Sequence, residues 1–135
     1  MKVLFLCTGN SCRSQIAEAV VNYYLADQWL AFSAGTNPAG FVHPLTIEVL
    51  SEIGIDHSGV SKNVDQFKGQ SFDLVMTVCD QAAENCPVWL GSGKKLHIGF
   101  ADPAKAVGTP DEIMNAYRRT RDEIRLKVIN ALLHY

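Results

Sequence analysis

The distribution of apolar residues along the chain predicts a series of buried strands. Short apolar runs rich in strand-forming residues occur as KVLFL at 2–6, WLAFSAG at 29–35, FDLVMTV at 72–78 and KKLHIGF at 94–100. Runs of this length and composition are typical of strands covered on both faces, as in parallel sheets. The pattern therefore predicts an α/β fold, a three-layer sandwich with a four-stranded parallel sheet flanked by helices.

Helical patterns lie between these runs. The segment SQIAEAVVNYYLAD at 14–27 carries apolar residues at helical spacing, beginning with Ile16 and Val20. A second helix is predicted to begin at Pro44 and to stop at Gly54. Proline is favoured at the first helical position, and glycine is favoured just beyond the last.

The last helix has a distinct predicted start. Thr109 and Glu112 have the spacing of a capping box, and Pro110 stands at the first helical position. The apolar stripe that follows consists of Ile113, Tyr117, Ile124, Val128 and Ala131, with Thr120 as its polar member. Strands and helices are thus predicted to alternate four times along the chain.

Composition narrows the class of protein further. The 135 residues are 47% hydrophobic and 19% charged, which predicts one globular domain spanning residues 1–135. The formal net charge of -2 provides no basic field, so nucleic acid is not an expected partner. No apolar run reaches the length of a signal sequence or a membrane span. We therefore expect a cytoplasmic monomer that does not associate with membranes.

The cysteines indicate chemistry rather than structural disulfides. Four are present, at positions 7, 12, 79 and 86. In a reducing compartment cysteines are more often free, catalytic or metal-binding than paired. The spacings include no CxxC pair, and the histidines at 43, 57, 97 and 134 are scattered. We therefore predict no metal site and no cofactor.

Three chemically active residues follow predicted strands. Cys7, Cys79 and Asp102 each come just after an apolar run. Active sites of open α/β sheets lie beyond the carboxyl ends of the strands, so these side chains are predicted to meet there.

The segment CTGNSCRS at 7–14, here called the cradle loop, has the features of an oxyanion site. Gly9 and Asn10 allow a turn whose backbone amides face an anion, and the next helix adds its positive end. Arg13 can grip two oxygens as a planar fork. These groups, with a hydrogen bond from Ser14, favour the thiolate form of Cys7. The predicted oxyanion-binding residues are Thr8, Gly9, Asn10, Ser11, Cys12, Arg13 and Ser14.

Two other interpretations of this loop are less favoured. It does not match the nucleotide-binding pattern GxxxxGK[ST], because the second glycine and the lysine are missing. Cys7 could instead be an inert cysteine at a buried strand end, which is the commoner fate of a lone cysteine. The glycine, the asparagine and the helix start beside it favour the oxyanion site.

With these motifs in view, the chain resembles the low-molecular-weight tyrosine phosphatase superfamily, and CTGNSCRSQ resembles the form found in thioredoxin-coupled arsenate reductases. The similar segments are VLFLCTGNSCRSQIAEA at 3–19, SAGT at 33–36, FDLVMTVCDQAAENCP at 72–87, HIGFADPA at 97–104 and RRTRDEIRLKV at 118–128. The resemblance implies that arsenate is the substrate, with phosphate or sulfate as competing oxyanions, and that thioredoxin is the reductant.

The same resemblance implies a role for three of the cysteines. Cys7 would attack arsenate, Cys79 would then attack Cys7 as arsenite leaves, and Cys86 would take over the disulfide for reduction by thioredoxin. Two alternatives remain open: a small phosphatase, which needs only Cys7, and a thiol redox sensor or arsenite-binding protein without turnover. Cys12 is assigned no essential step.

Asp102 matches the general acid of the related phosphatases, which protonates the leaving oxygen. Its alternative is a turn residue before Pro103. Ala104 and Lys105 stand where the phosphatases usually have a tyrosine pair, which disfavours a phosphotyrosine substrate. Some relatives bind potassium beside the loop, but Asn63 replaces the expected aspartate here, so potassium binding is not expected.

The segment between the second pair of cysteines is predicted to change shape. Residues 80–86, DQAAENC, contain good helix formers, so the reduced protein could hold them as a short helix. Seven residues of helix would separate Cys79 and Cys86 by about 10 Å along the axis. A disulfide requires Cα atoms about 4.4–6.8 Å apart, so the helix would unwind on oxidation.

Overall fold

The computed structural model describes residues 1–82 and 84–135. Its centre is a parallel sheet with the strand order β2-β1-β3-β4. The strands are β1 (Lys2–Cys7), β2 (Leu30–Gly35), β3 (Leu74–Thr77) and β4 (Lys94–His97). The helices are α1 (Arg13–Tyr24), α2 (Pro44–Glu52) and α3 (Pro110–Leu133), with 3₁₀ turns at Val64–Phe67 and Pro103–Lys105. The predicted fold class is confirmed.

The two faces of β1 bury different sets of side chains. Successive side chains of a strand point to opposite faces, so Val3 and Phe5 face the packed helices α1 and α3. Leu4 and Leu6 face the other way, into a cluster that includes the aromatic residues Phe67, Phe72 and Trp89. The central strand is therefore buried on both sides, as its continuous apolar run predicts.

The helix boundaries follow the local signals closely. The Thr109 hydroxyl accepts a hydrogen bond from the Glu112 backbone amide, and the Glu112 carboxylate accepts one from the Thr109 amide. In α2, Pro44 is the first residue, and Gly54 adopts a left-handed φ of 84° just after the end. In α3, Leu132, one residue beyond the predicted end of the apolar stripe, is also buried. No helix within the described residues is long and apolar enough to cross a membrane.

The predicted alternation of strands and helices is wrong between β3 and β4. Among the described residues of this connection there is no α-helix; the chain turns at 79–82 and then runs irregularly to β4. Trp89 in this stretch is buried and donates its indole N–H to the Ser92 carbonyl at 3.0 Å. Strand β4 also differs from the expected buried strand, since its four residues are exposed at the edge of the sheet. Burial of Trp89 anchors this irregular connection, a contact that local periodicity cannot reveal.

Candidate active site

The sequence-predicted residues converge at the carboxyl edge of the sheet. Cys7 is the last residue of β1, Arg13 is the first residue of α1, and Cys79 follows β3. Asp102 immediately precedes the 3₁₀ turn at Pro103–Lys105. A cavity of about 240 Å³ opens here, lined by Cys7, Gly9, Asn10, Ser11, Cys12, Arg13, Ala39, Phe41, His43, Asp102 and Ala104.

Three backbone carbonyl groups of the cradle loop accept hydrogen bonds from backbone amides of residues 37–43. The Thr8 oxygen accepts from the Asn37 amide at 3.0 Å, the Gly9 oxygen from the Ala39 amide at 2.9 Å, and the Ser11 oxygen from the His43 amide at 3.1 Å. In a planar trans peptide the next N–H points opposite to the carbonyl. The amides that follow these carbonyls are therefore directed inward, the arrangement expected of an anion-binding ring; anion binding itself stays a prediction.

The sulfur of Cys7 lies at the base of this ring and is almost fully buried, with 1% of the residue exposed. The Asn10 backbone amide donates to it at 3.3 Å, and the Ser14 hydroxyl oxygen lies 2.8 Å away. Asn10 has φ of 48°, a left-handed conformation that asparagine tolerates better than most residues. A sulfur that receives hydrogen bonds in this way is suited to carry negative charge.

The Arg13 side chain is buried, and its guanidinium contacts three groups: the Glu84 carboxylate, the Phe100 carbonyl and the Asp102 carboxylate. Its Nη1 donates to the Phe100 carbonyl at 3.1 Å and to Glu84 at 2.6 Å, and its Nη2 donates to the second Glu84 oxygen at 3.1 Å. The Asp102 carboxylate lies 3.6 Å from Nη2. Burial alone would lower the pKa of Arg13, but the pairing with Glu84 and Asp102 raises it overall.

Glu84 is a site residue that the sequence reasoning missed. Burial by itself would raise the pKa of its carboxyl, but the Arg13 hydrogen bonds lower it overall, so the charged pair is stable at neutral pH. No motif marks this glutamate, and 71 positions separate it from Arg13. Its location between Cys79 and Cys86 was the only available signal.

Asp102 serves two geometrical roles with its two oxygens. Oδ1 accepts a hydrogen bond from the Ala104 amide at 3.0 Å, as a turn-forming aspartate does. Oδ2 faces Arg13 at the cavity. The turn role and the general-acid role are therefore compatible, and the second stays a prediction.

Cys79 and Cys86 form a disulfide with their Cα atoms 5.8 Å apart. Cys79 is fully buried, whereas Cys86 is partly exposed. Residues 79–86, here called the redox segment, contain no helix where the structure describes them; the Glu84 amide donates to the Asp80 carbonyl in a turn. This geometry matches the expectation for the oxidised protein. The helix expected in the reduced protein stays a prediction.

Cys12 is turned toward α3. Its sulfur donates to the Tyr117 hydroxyl at 3.7 Å, and burial raises the pKa of the Cys12 thiol. Burial also raises the pKa of Tyr117, with the neighbouring Cys12 as a further cause. Both groups are therefore neutral, in keeping with the absence of an assigned step for Cys12.

Lys62 pairs with the partly buried carboxylate of Glu18. The Lys62 ammonium lies 3.8 Å from the Glu18 carboxylate, and the Ser33 hydroxyl also donates to Glu18 at 3.0 Å. Burial raises the pKa of Glu18. Within the parts of the chain that the structure describes, no three histidine, cysteine or acidic side chains cluster as a metal site requires.

Comparison with known proteins agrees with this geometry. The family model for low molecular weight phosphotyrosine protein phosphatase matches residues 2–133. The chain belongs to this family. Within it, the chain is 46% identical over 127 residues to an arsenate reductase of Halalkalibacterium halodurans, covering 93% of this chain and 91% of that protein.

Solved structures that resemble this chain also include arsenate reductases. A structure described as an arsenate reductase in the phosphate binding state aligns with a TM-score of 0.82 at 28% identity, over 98% of this chain and 97% of that one. A thioredoxin-dependent arsenate reductase of Corynebacterium glutamicum aligns with a TM-score of 0.64 at 28% identity, over 96% of this chain and 62% of that chain. The proteins that this chain resembles therefore include arsenate reductases, one of them thioredoxin-dependent.

Proposed function

We infer that this chain is an arsenate reductase, which converts arsenate to arsenite through three cysteine thiols. The observation that carries the inference is the Cys79–Cys86 disulfide in a chain whose cradle loop holds a third cysteine, Cys7. Phosphate-ester hydrolysis needs a nucleophile but no change of oxidation state. A reactive disulfide adds the two-electron chemistry that arsenate reduction requires.

The first proposed step is nucleophilic attack. Arsenate binds to the inward amides of the cradle loop and to Arg13, and the Cys7 thiolate forms a bond to arsenic. One As–O bond breaks, and that oxygen leaves as water after taking up protons, one of them supplied by Asp102. Arsenic is still pentavalent in this adduct.

The second step is the reduction itself. The Cys79 thiolate attacks the Cys7 sulfur, and the electron pair of the S–As bond passes to arsenic. Arsenic becomes trivalent and leaves as arsenite, while Cys7 and Cys79 are oxidised to a disulfide. Cys86 then attacks Cys79, which releases the Cys7 thiolate and leaves the Cys79–Cys86 disulfide seen here.

Thioredoxin is the proposed reductant of this disulfide, and the cytoplasm is the proposed location of the protein. Cys86 is the partly exposed member of the pair, so its sulfur offers an attack point for an external thiol. The potential of thioredoxin, about -270 mV, suits an accessible, functional disulfide. The match to a thioredoxin-dependent relative supports the same choice.

The decisive experiment measures arsenate-dependent oxidation of NADPH in the presence of thioredoxin and thioredoxin reductase. We expect multiple turnovers, with arsenite formed in equal amount to NADPH consumed. A redox sensor or arsenite-binding protein would consume at most one equivalent and then stop. That result would overturn the assignment.

Phosphatase activity is the second candidate, and we expect it as a side reaction. The cradle loop, Arg13 and Asp102 are the parts that phosphate-ester hydrolysis needs. Ala104 and Lys105 occupy the turn after Asp102, so an aromatic clasp for an aryl phosphate is missing at these positions. An aryl phosphate assay on the same preparation should therefore give slow hydrolysis. If aryl phosphate hydrolysis were faster than arsenate reduction, phosphatase would become the first candidate function and arsenate reductase the second.

A further inference from the structure

A chain of buried and partly buried hydrogen bonds connects His57 to the Cys7 sulfur. It begins at His57, whose Nε2 lies 2.8 Å from Gln15 Oε1. Gln15 Nε2 in turn reaches the Asn10 side-chain oxygen at 3.0 Å and the Asn10 carbonyl at 3.2 Å. Gln15 and Asn10 are both fully buried, and neither Gln15 nor His57 lines the oxyanion cavity.

The orientation of the Asn10 amide is fixed by a backbone donor. The Lys62 N–H donates to Asn10 Oδ1 at 2.8 Å, so the oxygen of the amide must be on that side. The Asn10 Nδ2 group therefore faces Ser14 and donates to its Oγ at 2.8 Å. Because the Ser14 oxygen accepts this bond, its own proton is available for the Cys7 sulfur at 2.8 Å.

The orientation of Gln15 is fixed in the same way. Its Nε2 donates to the Val60 carbonyl at 2.9 Å, and a carbonyl can only accept. Gln15 Oε1 consequently faces His57, whose Nε2 must carry the proton. Burial, with Lys62 nearby, lowers the pKa of His57, so the ring is neutral at physiological pH. A side chain at Gly59 would collide with both Gln15 and His57, so the fold leaves room for this pair.

We propose that Gln15, held by His57, is a positioning residue that sets both hydrogen bonds received by the Cys7 sulfur. By binding the carbonyl and the side chain of Asn10 together, Gln15 holds this residue in its left-handed conformation. That conformation aims the Asn10 N–H at the sulfur, and the Asn10 side chain turns the Ser14 hydroxyl proton toward it. Gln15 thus controls thiolate formation without touching the substrate.

The test measures alkylation of Cys7 by iodoacetamide as a function of pH in the reduced protein, with the modified site identified by mass spectrometry. Gln15→Met keeps the volume of the side chain and removes its amide. We expect the midpoint of the alkylation profile to rise by about one pH unit, which corresponds to about tenfold less thiolate at a fixed pH below the midpoint. Gln28→Met, the same change at an exposed position, should leave the midpoint unchanged.

The His57 variants separate positioning from general packing. His57→Gln can still donate to Gln15 and should keep the parent midpoint, whereas His57→Leu should raise it. Equal midpoints for these two variants would overturn the proposal, as would a folded Gln15→Met protein with the parent midpoint. If Gln15→Met does not fold, the His57 pair, which lies outside the loop, decides alone.

The inference rests on the proposed role of Cys7 as nucleophile, yet alkylation reports ionisation of the thiol without any turnover. A protein that fails to reduce arsenate but shows the expected shifts would contradict the proposed function and support this one. Normal arsenate turnover with no shift of the alkylation midpoint in the variants would support the proposed function and contradict the positioning role of Gln15.

Discussion

The cradle loop and the redox segment lie beside each other and are built in opposite ways. Residues 7, 10, 12, 13 and 14 of the cradle loop are at most 5% exposed, and its carbonyls are held by neighbouring segments. In the redox segment, Gln81, Ala82 and Asn85 are exposed, and the disulfide ties its ends. The first region has the rigid, buried backbone expected of an anion site, and the second has the exposed, locally weak structure expected of a segment that changes partners during a reaction cycle.

Glu84 is the point at which the two regions meet. It belongs to the redox segment, yet its carboxylate pairs with Arg13 of the cradle loop. Arg13 therefore already faces a carboxylate in the disulfide form, and a dianion entering the cavity must compete with it. We expect the oxidised protein to bind oxyanions more weakly than the reduced protein.

The largest expected effect is at the cradle loop. Cys7→Ser should lower both arsenate reduction and aryl phosphate hydrolysis by about 10³-fold or more, because both reactions begin with the same nucleophile. Steady-state assays of both activities check this. Cys12→Ser is the matched substitution in the same loop and should be much milder. Appreciable activity of either kind in Cys7→Ser would remove this cysteine from its role.

Cys79→Ser should affect arsenate reduction and aryl phosphate hydrolysis differently. Arsenate reduction should fall to background because the attacking thiol is gone, while aryl phosphate hydrolysis should stay within about threefold, since it needs only the cradle loop. The two assays are run on one preparation. Parallel losses of similar size would mean that Cys79, which is fully buried, acts mainly through packing.

A smaller effect, on phosphate affinity, is expected at Glu84, which joins the redox segment to the cradle loop. In the oxidised state, Glu84→Gln should bind phosphate about three- to tenfold more tightly, because a charge interaction of about 1 kcal/mol is removed from Arg13. Isothermal titration of the oxidised proteins measures this. Glu48→Gln, at an exposed position on α2, is the control. Weaker binding in Glu84→Gln would show that Glu84 instead orients Arg13 for the anion.

The ion pair between Arg13 and Glu84 also makes the stability of the folded protein depend on pH. Because Arg13 lowers the pKa of Glu84, the unfolded chain takes up this proton at a higher pH than the folded one. The stability that the pair contributes is complete above the ordinary value of 4.5 and is lost as the pH falls below it. Urea unfolding of the oxidised parent and of Glu84→Gln should therefore converge at acid pH.

The smallest effect is a local change in hydrogen exchange. Protection should differ between the reduced protein and the Cys79–Cys86 disulfide form mainly across residues 80–90, because a short reduced helix must unwind to bring the sulfurs together. The amides of the cradle loop should exchange alike in both forms and serve as the internal control. Equal protection across residues 80–90 would mean that the two cysteines are already close in the reduced protein.

Features that depend on neighbouring residues could be predicted from the sequence. The strand ending at Cys7, the turn at Gly9 and Asn10 and the helix beginning near Ser14 are encoded within eight consecutive positions. The capping box of α3 spans four residues and forms as predicted. Backbone sterics and short-range hydrogen bonds act over these distances, so the sequence pattern is sufficient.

Other features exist only because distant segments pack together. The pairing of Arg13 with Glu84 and the contact of Gln15 with His57 join residues that are 71 and 42 positions apart. The irregular path from β3 to β4 depends on burial of Trp89 against the second face of the sheet. By itself the sequence determined the reactive groups and the backbone around Cys7. Only the tertiary structure decided which buried charges and amides face them, because a buried polar group takes whichever partner the packed chain brings within hydrogen-bonding distance.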